Sequence, residues 1–190
     1  MSEISSTSHP RPAISRARLE VLFDGIFAIA MTLLVLELKV PDLADRRSVR
    51  ELGQALLHDG PTFLSYLLSF WMLGMLWYRH NQMYRQIERI SRRMLVLQLS
   101  QLALAAFFPF CAALEGRYPM NPLALTIYSG CILLYSWTSM LYWHVAWTVG
   151  AVRPELDRTE YLAARRRILR GSLMLTLIFG YALSRVFAGV

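Results

Sequence analysis

Asp24 makes the sharpest chemical demand in this chain. It lies in the first turns of RLEVLFDGIFAIAMTLLVLELKVP, residues 18 to 41, an apolar run of helical length that is charged at both ends. Placing an ionised carboxylate in hydrocarbon costs roughly 2.5 to 3.5 kcal/mol even on the mild insertion scale, so an acid there either pairs inside a bundle or serves an ion pathway. The same run holds Arg18 and Thr32, and His80 follows the next apolar stretch in WYRHN, residues 77 to 81. An acid and an imidazole are the parts of a proton relay. Apolar rings with nearby hydroxyls are the parts of a cation path.

Arg18 precedes Asp24 by six residues, about 240° on an ideal helix, so the two do not pair within the helix. Both need partners on another element, and His80 is the nearest candidate for Asp24. His80 taken alone reads as an interfacial histidine, as does His144 between Trp143 and Trp147, while Arg185 can snorkel to an interface.

Projected at about 100° per residue with Ile29 at the origin, Leu22, Gly25, Ile29, Thr32, Leu33, Leu36 and Val40 share one narrow face. Asp24 falls on roughly the opposite side. Two readings fit. The face packs against another helix, as small residues and hydroxyls do in membranes, or it lines an axis while the Asp24 side packs into the bundle.

The elements that must hold these residues follow from hydropathy. Of 190 residues, 55% are hydrophobic, with a mean hydropathy of +0.36. That is a polytopic membrane composition. A spanning helix needs about 20 largely apolar residues, and the apolar runs give five, over residues 19 to 40, 61 to 79, 94 to 114, 121 to 149 and 168 to 188. A membrane barrel would instead alternate over segments of about 10 residues. The fold class is therefore an all-α helical bundle with five visible transmembrane helices. Pro41 and Asp42 stop the first. Residues 48 to 58 set Val49, Leu52, Leu56 and Leu57 on one face, as an interfacial helix or the start of a long second helix, interrupted at Gly60 and Pro61. EGRYPMNP, residues 115 to 122, is a turn, and no internal repeat is visible.

Charge sets the orientation. Lys39 is the only lysine among 20 basic residues. Arg11, Arg16, Arg18, Arg79, Arg85, Arg89, Arg92, Arg93, Arg153, Arg158, Arg165, Arg166, Arg167 and Arg170 fall on one side. The other receives Lys39, Arg46, Arg47, Arg50 and Arg117, so the N-terminus is cytoplasmic. These arginines bracket apolar spans and accompany no zinc-finger or RNA-binding motif, so the net charge of +7 does not signal nucleic acid. Residues 1–17 lack a signal-peptide core and form a cytoplasmic tail, with 18–190 as the transmembrane domain. Cys111 and Cys131 lie in spans and read as packing residues. P-loop, HExxH, GxSxG and CxxC are all absent, and the spans hold no adjoining acid, base and nucleophile. The chain is not read as an enzyme and needs no cofactor or resident metal.

At these residues the sequence resembles the transmembrane protein 175 family, the lysosomal and bacterial potassium channels whose first helix carries R-x-x-x-F-S-D. Arg18 and Asp24 hold the ends of that signature, with Leu22 and Phe23 in place of its Phe-Ser pair. The continuation from Gly25 to Pro41 is similar almost throughout, and W77-x-x-H80 resembles the motif after the second helix. The resemblance implies a homotetramer embedded in the lipid bilayer, with a central pore lined by the first helix of each subunit. By position, Ile29 matches the hydrophobic constriction, Leu33 and Leu36 continue its apolar wall, and Thr32 offers a hydroxyl near the selectivity region. K+ would bind only transiently, near Ile29 and Thr32. Arg18, Asp24, Trp77 and His80 match the polar network that holds the first helix.

Two departures stand out: the lost serine hydroxyl, and five visible spans where the family pattern is six. Either a helix is absent or two short ones share residues 161 to 190. The expected function is a potassium-preferring cation channel that lacks a TVGYG carbonyl filter. The competing reading is a proton-coupled or small-solute secondary transporter using Asp24 and His80; a non-conducting scaffold is the third. Many arginines against one lysine suggest a bacterial plasma membrane.

Overall fold

The computed structural model describes residues 15–188. Residues 1–14, most of the expected tail, and Arg11 with them, lie outside that range. Six α-helices follow in order: α1 (Arg16–Leu34), α2 (Val49–His58), α3 (Gly60–Tyr84), α4 (Arg92–Arg117), α5 (Pro122–Thr148) and α6 (Arg158–Ala188), with a 3₁₀ turn at Val35–Glu37 continuing α1. Their starts are written in the local sequence. Side chains of Ser15, Ser48, Ser91 and Asn121 accept hydrogen bonds from first-turn amides of α1, α2, α4 and α5, which otherwise have no intrahelical partner. Pro61 and Pro122 occupy first turns, where a missing N–H costs nothing.

Among the described residues, four helical stretches, 16–37, 92–117, 122–148 and 158–188, are long and apolar enough to cross a membrane. Although α3 has the length, its apolar character is diluted by Ser65, Ser69 and the run from Trp77 to His80. The expected span at 61 to 79 extends to Tyr84, which places His80 inside a helix rather than at its end. Asp59 and Gly60 separate α2 from α3, so residues 48 to 58 form their own short helix. No residue of α2 is buried, and Val49, Leu52, Leu56 and Leu57 are all exposed.

Two expectations need correction. The first helix does not run to residue 40. Its last turn tightens to 3₁₀ geometry after Leu34, with the Leu38 N–H bonded to the Val35 carbonyl and Leu38 extended. Leu36 therefore sits on the tightened turn, and Val40 lies beyond the helix and leaves its face. Residues 161 to 190 do not hold two short helices either, because α6 is continuous across them as far as Ala188. The helix beyond the five expected spans is α2, at 10 residues too short to cross a membrane.

Within the bundle α4 and α5 are central, α1 and α3 pack against α4, and α6 packs against α5. One core joins Phe23, Phe27, Ala30 and Leu34 of α1 to Leu73 and Leu76 of α3, Phe108 and Cys111 of α4, and Ile132 and Tyr135 of α5. Close packing lets α6 approach α5. A Cβ on Gly130 would lie 3.0 Å from the Phe179 ring. A second core lies at the end where α3 gives way to α4 and α5 to α6 and holds Ile87, Met94, Tyr142, Trp143 and Tyr161. There the loops after α3 and α5 are stitched by Glu88 N–H to Ala151 O at 2.8 Å and Arg153 N–H to Gln86 O at 2.9 Å. Gly150, at φ +62, permits the reversal that brings Ala151 into place.

Candidate functional site

Helix α1 has one buried face and one bare face. Leu19, Phe23, Phe27, Ala30 and Leu34 recur every three or four residues and are at most 4% exposed, the spacing that puts side chains on one stripe. The opposite stripe is apolar and uncovered, with Leu22 at 44%, Ile29 at 56%, Leu33 at 42% and Leu36 at 69% exposure. Gly25 faces open space on the same side. The fold thus buries the back of α1 and leaves a greasy front that little else among the described residues covers.

Thr32 lies on that front, exposed. Its hydroxyl donates to the Ile29 carbonyl at 2.8 Å. With its proton turned into the helix, the oxygen keeps lone pairs for an outside ligand. Among the described residues no group of three His, Cys, Asp or Glu side chains is placed to hold a metal ion.

The four expected network residues part company. Trp77 Nε1–H donates to Asp24 Oδ1 at 2.8 Å, joining α3 to α1. Asp24 itself stays exposed, because it comes one residue after buried Phe23 and so lies about 100° round the helix from it. The packed side of α1 is the Phe23 side, with Asp24 at its margin. His80 is 5% exposed, and its ring lies on Phe23 with centroids 3.4 Å apart and planes within 2°. Its Nε2 is buried without a hydrogen-bond partner. Arg18 is exposed and joins neither Asp24 nor His80.

Other residues serve the same helix without having been singled out in the sequence. Tyr84 donates its hydroxyl to the Arg16 carbonyl at 2.7 Å, while the Arg16 guanidinium sits 5.1 Å above the Tyr84 ring. The signal was its position four residues after His80 and seven after Trp77, one helical stripe once α3 is extended to 84. Gln98 and Gln101 are fully buried amides in α4, and Gln101 Nε2 donates to Ser139 Oγ of α5 at 2.7 Å. Two uncharged amides in an apolar span were the cue there. The rings near His144 hold α5 to α6: Trp143 Nε1–H donates to the Tyr161 carbonyl at 3.3 Å, and His144 Nδ1 lies 3.4 Å from the Tyr161 hydroxyl.

With the two faces of α1 defined, comparison with known proteins is specific. The family described as endosomal/lysosomal potassium channel TMEM175 matches residues 18–109. A potassium channel of Streptomyces collinus is 32% identical over 170 residues, spanning 87% of this chain and 81% of the relative. A potassium channel of Chamaesiphon minutus is 30% identical over 179 residues, spanning 91% and 87%. The crystal structure of a lysosomal potassium-selective channel TMEM175 homolog from Chamaesiphon minutus superposes with a TM-score of 0.78 at 30% identity, covering 91% of this chain and 89% of that one.

Proposed function

Because the chain belongs to the TMEM175 family of multi-pass membrane ion channels, we propose that it is a potassium-preferring channel formed by four copies, with α1 of each lining a central pore. The observation that carries this reading is the bare apolar stripe of Ile29, Leu33 and Leu36 on a helix whose other face is fully buried in its own protomer. A single such stripe cannot enclose an ion, whereas a ring of four can. Potassium channels among its relatives, in Streptomyces and Chamaesiphon, support the choice of ion.

In this assembly a ring of Ile29 side chains forms the constriction. An ion sheds part of its hydration to pass an apolar ring, and such rings also close by dewetting. Potassium holds its water less tightly than sodium and loses less in doing so. One residue triplet further on, Thr32 oxygens compensate with their free lone pairs. Leu33 and Leu36 continue the dry wall. Residues 18–190 constitute the channel domain, set in a bacterial plasma membrane with the N-terminus cytoplasmic, as the arginine distribution requires.

Liposomes containing the purified protein test this reading, with K+ and Na+ flux and subunit number measured on one sample. The expected result is a tetramer passing K+ faster than Na+, with Ile29→Asn raising conductance and lowering the preference. An Ile29→Asn channel with the parent conductance and permeability ratio would remove Ile29 from the constriction.

A further inference from the structure

Five rings lie in file along the buried side of α1. Tyr84 and His80 stack at 5.4 Å, His80 and Phe23 at 3.4 Å, Phe23 and Phe27 at 5.3 Å, and Phe27 meets Tyr135 edge-on at 6.2 Å. All five are buried. The tightest and flattest contact is His80 on Phe23.

Phe23 is 2% exposed, whereas Leu22, about 100° round the helix from it, is 44% exposed. His80, opposite, has a buried Nε2 that bonds to nothing. A buried polar atom is normally satisfied, so this histidine contributes its ring plane where its nitrogen has no partner.

We propose that His80 is a positioning residue acting through the plane of its ring: stacked on Phe23, it sets the rotation of α1 about its own axis and so decides which α1 residues form the pore face. Phe23 does not pack alone: Phe27, Ala30 and Leu34 continue its face into the same core. The Trp77–Asp24 hydrogen bond lies at the margin of that face. A roll of about 100° would set Leu22 or Asp24 against the imidazole. It would also carry Ile29 and Thr32 off the bare face.

The inference rests on the channel reading, and its test separates the two. His80→Phe keeps a flat ring and removes both nitrogens, whereas His80→Gln keeps hydrogen-bonding atoms and removes the ring. Each full-length variant is reconstituted in liposomes for K+ flux and the K+ to Na+ permeability ratio, and its thermal midpoint is measured in detergent. We expect His80→Phe within about twofold of the parent flux at the parent ratio, and His80→Gln lower by about tenfold or more, or altered in ratio. His80→Gln should also melt below His80→Phe. Parent behaviour in His80→Gln, or loss in His80→Phe alone, would overturn the proposal. If His80→Gln fails to assemble, Phe23→Leu replaces it: a changed ratio supports the proposal and an unchanged one overturns it. The order of thermal midpoints is read without flux, so a parent protein that carries no K+ would sink the channel reading while still judging the stack.

Discussion

The indole N–H of Trp77 reaches Oδ1 of Asp24 at 2.8 Å, so the one acid in the apolar part of α1 is held by a neutral donor from α3. A tryptophan answers this carboxylate without bringing a second charge into the bundle. The hydrogen bond is charge-assisted, and such bonds contribute about 1.5–3 kcal/mol when solvent is excluded. Asp24 retains contact with its surroundings, which places the value towards the lower end.

Removing this donor should loosen the protomer without changing ion preference. Trp77→Phe is expected to lower stability by about 1–2 kcal/mol, and Asp24→Ala to weaken tetramer assembly. Thermal unfolding and subunit mass report both, and the K+ to Na+ ratio should stay at the parent value. An intact tetramer with altered preference would move Asp24 from the scaffold to the ion path.

Thr32→Val keeps the shape of the side chain and removes its oxygen. The residue is exposed and bonds only to its own helix, so the change in stability should stay within about 0.5 kcal/mol. The K+ to Na+ permeability ratio, measured under bi-ionic conditions, should fall. A ratio equal to the parent would show that the hydroxyls do not meet the ion.

Gln101 presents an opposite case, a buried amide whose oxygen has no partner. Its partner Ser139 already donates its own proton to the Tyr135 carbonyl at 2.8 Å. Gln101→Leu should therefore be within about 1 kcal/mol of neutral, on either side, because the desolvated amide disappears along with its bond. Chemical denaturation in detergent measures this. A loss of about 3 kcal/mol or more would mean that the amide is satisfied by something beyond Ser139.

Where α5 and α6 touch, Gly130 faces the Phe179 ring with no room for a branched side chain. Gly130→Val should destabilise by about 1–3 kcal/mol through overpacking, visible as a lower thermal midpoint. Gly180, which has open space around its Cβ position, is the control. Gly180→Ala should be neutral or slightly stabilising, since alanine is favoured over glycine by about 1 kcal/mol within a helix.

Much of this architecture was legible because hydrophobic length and helix breakers are local properties. The break at Gly60 and Pro61 was written in glycine and proline, and the shared face of Ile29, Thr32 and Leu33 was visible on a helical projection. Leu36 stayed with that stripe although it lies on a 3₁₀ turn, whereas Val40 did not, since a fixed angle per residue says nothing about where a helix tightens. The polar network was only half legible. The family resemblance grouped Arg18, Asp24, Trp77 and His80, but pairing Asp24 with Trp77 and leaving Arg18 outside depends on how α3 lies across α1.

The order of residues by itself determined an all-helical membrane protein, the apolar face of its first helix and the family to which it belongs, because each is carried by the type and spacing of neighbours along one chain. Only the tertiary structure decided that Phe23 and His80 meet face to face and that Ile29 is left bare. Those outcomes rest on contacts between α1 and helices far away in sequence, where packing alone selects which side of a helix is covered.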